Sequence, residues 1–315
     1  MHVNVLPHDR SHLLIKTGTP GTPTELFRKS IKRWLNSHLS DDLASDTGTG
    51  DIVESIVYSK STGVVCGRHP IDILIGDFFF TTNIHWFVEE GERVSDGNRI
   101  LSLTGPSASV LSCERVLLNI LGRMSGIATL TSEWVEEAGE VGIACTRKTA
   151  WGLMDKWAVH VGGGLTHRLS RSDALMIKEN DLSVIAPGDN PESSIPFAIS
   201  SIDFDSDAMF TVIEVQDSGQ AILAANAWSE SQKTRNGLEP IVILLDNMGP
   251  SECGRTDEEL RKIGLREWCI LEGSGGVSRG DLPAWASMSG VDVISSSEVN
   301  LGSRPLDFSM LIGDA

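Results

Sequence analysis

Apolar positions recur at helical spacing in two parts of the chain and in short separate runs elsewhere. Over Glu25–His38, residues Leu26, Ile31, Trp34 and Leu35 share one face, which predicts an amphipathic helix. Ser107 is a good N-cap, and Val110, Cys113, Leu117, Leu121 and Met124 follow at spacings of three and four. That helical stretch extends to Ala138, and Ser125-Gly126 is expected to divide it into two consecutive helices. Ile52 to Leu103 is strand-like and turn-rich. There Ile52-Val53, Ser55–Val57, Gly63–Val65, Ile84–Val88 and Arg99–Leu103 fit the strands of a small mixed α/β unit. Residues 17–23, Thr-Gly-Thr-Pro-Gly-Thr-Pro, read as an exposed, irregular lead-in.

The rhythm changes after Gly142. Short apolar runs alternate with helix-compatible stretches, the arrangement of βα units around a parallel sheet or barrel. Each run leads into polar chemistry. Ile143–Cys145 meets Thr146-Arg147-Lys148-Thr149, and Ala174–Ile177 meets Lys178-Glu179-Asn180-Asp181. Phe210–Ile213 meets Glu214, Ile241–Leu245 meets Asp246-Asn247, Trp268–Leu271 meets Glu272-Gly273-Ser274-Gly275-Gly276, and Val291–Ile294 meets Ser295-Ser296-Ser297. In βα barrels the loops at that end of the strands converge, so chemistry gathers there. One polar strand end means nothing, because loops are polar; a series of them points to a site.

Charge narrows the class of ligand. The chain has 315 residues, with Lys+Arg 26 against Asp+Glu 43 and a net charge of −17. Such a surface repels nucleic-acid backbones and anionic lipid, so neither is expected as a partner. No stretch approaches the ~20 apolar residues of a membrane span, and the start of the chain does not read as a signal peptide. Five scattered cysteines, Cys66, Cys113, Cys145, Cys253 and Cys269, have no metal-clip spacing and suit a reducing cytoplasm.

Against this acidic background a basic cluster stands out: Arg147 and Lys148 after one strand, His167-Arg168 before the next, Lys178 at its end, and Arg115 on the preceding helix. Assembled cations repel one another, so a site that gathers them needs anions. Arginine suits planar carboxylates because its fork bonds both oxygens. Lys156 and Arg171 read instead as paired surface charges. Gly162-Gly163-Gly164 is either a tight turn or a place where backbone approaches a ligand. Ser274-Gly275-Gly276, between a strand and a helix-compatible segment, could form an anion nest late in the barrel. Glu214 and Asp246, with Glu272 as a third candidate, could serve Mg²⁺ bound with a phosphorylated substrate, ribose hydroxyls, a cationic sugar transition state or ion pairs.

The ordered set of motifs resembles the quinolinate phosphoribosyltransferase family from about Asp42 onward. It runs through Glu114-Arg115-Val116-Leu117-Leu118-Asn119, Ser125-Gly126-Ile127-Ala128-Thr129, Thr146-Arg147-Lys148-Thr149, Asp155-Lys156-Trp157-Ala158-Val159 and Gly162-Gly163-Gly164. It continues through His167-Arg168, Ile177-Lys178-Glu179-Asn180, Ile213-Glu214-Val215, Leu245-Asp246-Asn247-Met248, Leu271-Glu272, Ser274-Gly275-Gly276 and Val291-Asp292-Val293-Ile294-Ser295. The resemblance implies an α/β fold of the type II phosphoribosyltransferase kind: an N-terminal α/β sandwich, an incomplete C-terminal α/β barrel, and a last segment that returns to the sandwich. On this chain the expected divisions are a flexible lead-in at 1–24, a sandwich at 25–119 with 299–315, and a barrel at 120–298.

The resemblance further implies phosphoribosyl transfer from phosphoribosyl pyrophosphate to quinolinate with Mg²⁺, giving nicotinate mononucleotide, pyrophosphate and CO₂ for NAD biosynthesis. It implies a cytoplasmic homodimer with shared active sites, alone or built into a higher oligomer, in which Arg115 reaches the partner's site. Arg147, His167, Arg168, Lys178 and a partner's Arg115 would hold the two carboxylates of quinolinate. Lys148, Glu214 and Asp246 would face phosphoribosyl pyrophosphate, with the two carboxylates holding Mg²⁺ directly or through water. Ser274, Gly275, Gly276 and Ser295 would lie at its phosphate. Competing readings are a non-decarboxylating relative acting on nicotinate or a related ring acid, a barrel attached to metal transport, and an inactive homologue that binds phosphoribosyl pyrophosphate. The chain departs from the family pattern at Trp151-Gly152-Leu153-Met154, a loop about two positions short that lacks an arginine. It also departs at Asn180-Asp181, at Ser297 where a glycine is usual, and at an insertion-like polar loop over Pro187–Pro196.

Overall fold

The computed structural model describes residues 6–18, 21–186, 190–204 and 210–313. In chain order the elements are β1 (Ile15–Lys16), β2 (Thr22–Pro23), α1 (Glu25–Asp42), β3 (Ile52–Ser59), β4 (Gly63–Val64), α2 (Arg68–Phe78), β5 (Asn83–Trp86), β6 (Arg93–Val94), β7 (Arg99–Pro106) and α3 (Ser107–Ala138). There follow β8 (Gly142–Cys145), α4 (Leu153–Val161), β9 (Leu175–Ile177), α5 (Glu179–Ile185), α6 (Pro191–Ser200), β10 (Thr211–Val215), α7 (Ser218–Arg235) and β11 (Ile241–Asp246). The last are α8 (Pro250–Lys262), β12 (Cys269–Ser274), α9 (Leu282–Met288), β13 (Val293–Ser296), α10 (Glu298–Leu301) and β14 (Phe308–Ile312). They form two compact units, each discontinuous in sequence: described residues 9–133, 148–166 and 299–313, and described residues 6–8, 134–147 and 167–298.

The first unit is built on an antiparallel sheet of order β14-β3-β7-β5, so the last strand does return to the sheet of the early ones. Thr24 caps α1 by accepting from Phe27 N, and α1 buries Phe27, Ile31, Leu35 and Leu39. Leu26, expected inside, is 49 % exposed; Phe27 takes its place, one position round the helix. α2 is a helix that the strand-like reading of this region did not anticipate. Its Ile71, Ile73, Leu74 and Ile75 are buried while Asp72 and Asp77 are exposed; the apolar run between the two acids is too short to declare a helical period.

α3 is one uninterrupted helix, not two. Ser125 Oγ accepts from Cys66 N at 2.9 Å and donates to Cys66 O at 3.1 Å. A Cβ on Gly126 would stand 2.1 Å from Arg304 O. The pair that looked like a helix break is thus a packing site, where a hydroxyl and a missing side chain admit neighbouring backbone. Residues 120–133 and 148–166 go with this unit rather than with the expected barrel at 120–298. Arg123 on α3 grips Asp155 of α4 through both carboxylate oxygens, at 3.0 and 2.7 Å, and the Trp157 ring lies 6.0 Å from that of Phe27.

The second unit contains a six-stranded sheet of order β8-β13-β12-β11-β10-β9, parallel at every pairing. β8 and β9 are its edges, so the barrel is incomplete. A Cβ on Gly273 would lie 2.2 Å from the Trp285 ring of α9, which identifies the face of β12 that helices cover. Its neighbours Glu272 and Ser274 point to the opposite face, because strand side chains alternate. Register carries that face across the sheet: Glu214 pairs with Leu244, Leu244 with Glu272, and Asp246 with Ser274. Cys145 pairs with Ser296 and, like Gly273, is on the helix-covered face; it is fully buried, as a core residue should be. The region expected to be a loop over Pro187–Pro196 is partly helix. Asn190 caps α6 by accepting from Ser193 N, and Pro191 fits the first turn because its missing N–H is not needed there. Residues 187–189 of that expectation lie outside the described residues.

Candidate active site

The strands run further than their apolar cores. Glu214, Asp246, Glu272, Ser274 and Ser295 were expected just beyond strand ends; parallel pairing continues through all five, so they are strand residues. This makes them rigidly placed rather than loop-borne. Lys178, one residue past β9, pairs with Glu214 at the end of β10. Asp181 Oδ2 accepts from Lys178 N at 3.0 Å, so the departure at Asn180-Asp181 supplies a cap to α5 and fixes the lysine backbone. Asp246 Oδ2 accepts from Asn247 Nδ2 at 2.7 Å.

The turn after β12 is tightly specified. Asn247, Gly275 and Gly276 have φ of 58°, 100° and 63°, the left-handed region that favours glycine and asparagine. Asn247 N donates to Ser274 O at 2.9 Å, and a Cβ on Gly275 would fall 2.6 Å from Asn247 N. Ser295 Oγ donates to Ser274 Oγ at 3.2 Å. The turn therefore presents two glycines and two hydroxyls on the face that carries the carboxylates.

Glu272 has no solvent exposure. His8 Nε2 lies 3.0 Å from Oε2, and His167 Nε2 lies 3.2 Å from both oxygens. Burial alone would raise the Glu272 carboxyl. The positive ends and hydrogen bonds of His167 and then His8 outweigh it and hold the group well below the usual carboxylate range. Arg168 is 6 % exposed, with its guanidinium against Ala174 O at 3.4 Å and Met176 Sδ at 3.0 Å. Burial, then Arg147 and Arg171, lower its pKa, so these cations do crowd one another. Arg171 is exposed, as a surface charge should be, and adds to the field on Arg168 from there.

Lys148 and Arg115 belong to the other unit, where both are exposed; the Lys148 carbonyl accepts from Asn300 Nδ2 at 2.7 Å. Lys156 is 2 % exposed and donates to Thr166 O at 2.6 Å, which makes it a buried structural group rather than a surface charge. Gly162 serves packing, since a Cβ would meet Ala128 O at 2.4 Å. The short loop at Trp151 is anchored. Asp155 Oδ2 accepts from Ala150 N at 2.8 Å and Trp151 N at 3.2 Å, and the Trp151 ring stacks on Trp34 at 6.4 Å. His8 and Arg123 are the residues that sequence reasoning passed over, and neither had a sequence signal; Asn247 was named only as part of a motif, without its turn role.

The model of the quinolinate phosphoribosyl transferase C-terminal domain matches residues 127–311, and that of the N-terminal domain matches residues 42–125. The chain belongs to the quinolinate phosphoribosyltransferase family. Among curated relatives, the probable nicotinate-nucleotide pyrophosphorylase (carboxylating) of Methanothermobacter thermautotrophicus is 34 % identical over 295 residues, covering 91 % of this chain and 98 % of the relative. The protein of the same name from Archaeoglobus fulgidus is 35 % identical over 266 residues, 82 % and 94 % of the two chains. Among solved structures, a NadC deletion mutant superposes with a TM-score of 0.76 at 27 % identity, covering 91 % of this chain and 98 % of that one. NadC from Streptococcus pyogenes gives 0.72 at 25 % identity, covering 92 % and 100 %. The short Trp151 loop and the Asp181 cap are thus variations within the quinolinate phosphoribosyltransferase family.

Proposed function

We propose that this chain transfers the phosphoribosyl group of phosphoribosyl pyrophosphate to quinolinate and releases CO₂, giving nicotinate mononucleotide and pyrophosphate. The observation that carries this reading is one polar face at strand ends, where Lys178, Glu214, Asp246, Ser274 and Ser295 lie together beside the turn at Gly275-Gly276. Arg147, His167, Arg168 and Lys178 would neutralise the two adjacent carboxylates of quinolinate, with Arg115 supplied by a second subunit of a homodimer. Lys148 would meet the pyrophosphate. Ser274, Gly275, Gly276 and Ser295 would bind the 5-phosphate through backbone N–H and hydroxyl groups.

Glu214, next to last in β10, and Asp246, last in β11, lie on one face of adjacent strands and offer hard oxygen donors, a set that fits Mg²⁺ shared with a phosphorylated substrate. Glu214 and Asp246 would hold Mg²⁺ there, and its charge would help neutralise the pyrophosphate. In the transfer, the pyridine nitrogen attacks the anomeric carbon as the bond to pyrophosphate breaks and its electron pair leaves with pyrophosphate. The ring nitrogen becomes cationic. The carboxylate on the adjacent carbon then departs as CO₂, leaving its electron pair beside that cation, where a proton is taken up. The protein's part is to position reactants and neutralise charge, with no covalent nucleophile. The five cysteines are buried and scattered, which suits a cytoplasmic enzyme. Among the described residues no helix is long and apolar enough to cross a membrane.

A paired assay tests the reading: protein, Mg²⁺ and phosphoribosyl pyrophosphate with either quinolinate or nicotinate, following nicotinate mononucleotide and CO₂. Product with CO₂ from quinolinate alone is expected. Product from nicotinate alone assigns the chain to the non-decarboxylating chemistry, and no turnover with tight binding of phosphoribosyl pyrophosphate assigns it to the inactive class.

A further inference from the structure

His8 precedes the residues matched by either family model, yet its side chain is fully buried within the barrel unit. Its Nε2 meets the same Glu272 carboxylate that holds His167, and the two imidazoles are edge to face with centroids 5.0 Å apart. His167 is itself in a demanding conformation, with φ of 49°, and its Nδ1 accepts from Arg168 N at 2.7 Å. That last bond fixes the tautomer. With the Nδ1 lone pair engaged, the ring proton sits on Nε2 and points at Glu272. Two histidines and a carboxylate are also a metal donor set, but a protonated Nε2 has no lone pair to give a cation. The cluster is a hydrogen-bonded relay instead.

We propose that His8 is a positioning residue for the acceptor site: through Glu272 it fixes the His167 ring, and through that ring the backbone from which Arg168 extends. A carboxylate held by one imidazole can rotate and take the other with it. Held from two sides, it becomes a fixed acceptor; the His167 ring is fixed with it, and Arg168 presents its guanidinium from a fixed backbone. The assignment of His167 and Arg168 to quinolinate rests on the proposed function; the relay itself does not.

The test compares the full chain with His8→Leu, which removes the donor, and His8→Gln, whose Nε2–H can replace it. Steady-state kinetics and ¹⁵N spectra of the imidazoles are recorded for each, with thermal melts as a control. His8→Leu is expected to raise the KM for quinolinate about tenfold, as loss of a hydrogen bond to a buried charge does. The KM for phosphoribosyl pyrophosphate should stay within about twofold, and the His167 signal should move from the pure Nε2–H tautomer to an averaged one. His8→Gln should restore both. If His8→Leu does not fold, His8→Asn, too short to reach Glu272, takes its place. A folded variant with unchanged KM values and an unchanged His167 signal overturns the proposal, as does an equal rise in both KM values with a lowered melt. If the wild-type chain does not turn over quinolinate, the functional reading fails separately, and the ¹⁵N signal alone decides the relay.

Discussion

A carboxylate with no solvent exposure is stable in a protein only if its charge is answered locally, and Glu272 is answered by His8 and His167. Glu272→Gln keeps the shape but replaces one acceptor oxygen with an amide donor that faces an imidazole N–H, so one N–H on the relay loses its partner. The expected cost is about 3 kcal/mol of unfolding free energy, read from urea titration. The pH dependence follows from the lowered carboxyl. Because the folded pKa lies below the ordinary 4.5, the stabilisation is complete above pH 4.5 and is lost as pH falls toward the folded value. Wild-type stability should therefore fall in that acid window, and the Glu272→Gln variant should lose less there. His8 was illegible in the sequence because a lone histidine in a polar lead-in carries no period and no motif; three-dimensional return of the chain gives it a partner 264 residues away.

Among the elements, strands and their chemical ends were legible, since each apolar run stops where charge begins. The misreadings share one physical origin: local sequence reports preference, and packing decides. α2 lies in a region that reads as strand-like overall, because its short run Ile73-Leu74-Ile75 shows no clear period, and the Ser125-Gly126 pair in α3 looked like a break. The latter reading yields a test. Gly126→Ala has excellent helix propensity, yet its methyl group would meet Arg304 O at 2.1 Å. It is expected to destabilise the protein by about 2 kcal/mol, against the gain that propensity alone predicts, and calorimetry decides between them. Gly275→Ala probes the other kind of glycine. At φ of 100° and against Asn247, an added Cβ distorts the turn that the proposed function gives to the 5-phosphate. The KM for phosphoribosyl pyrophosphate should rise about tenfold or more while that for quinolinate changes little, a split that steady-state kinetics reads directly.

For the whole molecule, the acidic balance argues against nucleic-acid and anionic-lipid partners, and the family fold was legible from ordered motifs. The division into units was less so, because 148–166 is flanked on both sides by barrel sequence yet packs its α4 on α1 and α3. Arg115 is exposed on α3, and the proposed trans role makes a clear demand. Arg115→Ala and Lys178→Ala chains, each inactive alone, should regain activity when dissociated together and reassembled, since some sites then draw every residue from an intact source. Absence of recovery in verified mixed dimers refutes the shared site.

Each unit is assembled from three stretches of chain, so the polypeptide passes from one to the other five times. A gene encoding such an architecture cannot be divided at one point into two self-sufficient halves. The border between the two family matches, near residue 126, falls inside the unbroken helix α3. Recombination that swaps everything before that border would bring half a helix, and would leave behind the final strand that the early sheet needs. The interleaving thus locks both units into a common inheritance: a change of acceptor chemistry must arise by substitution at strand ends and loops, not by exchange of a module.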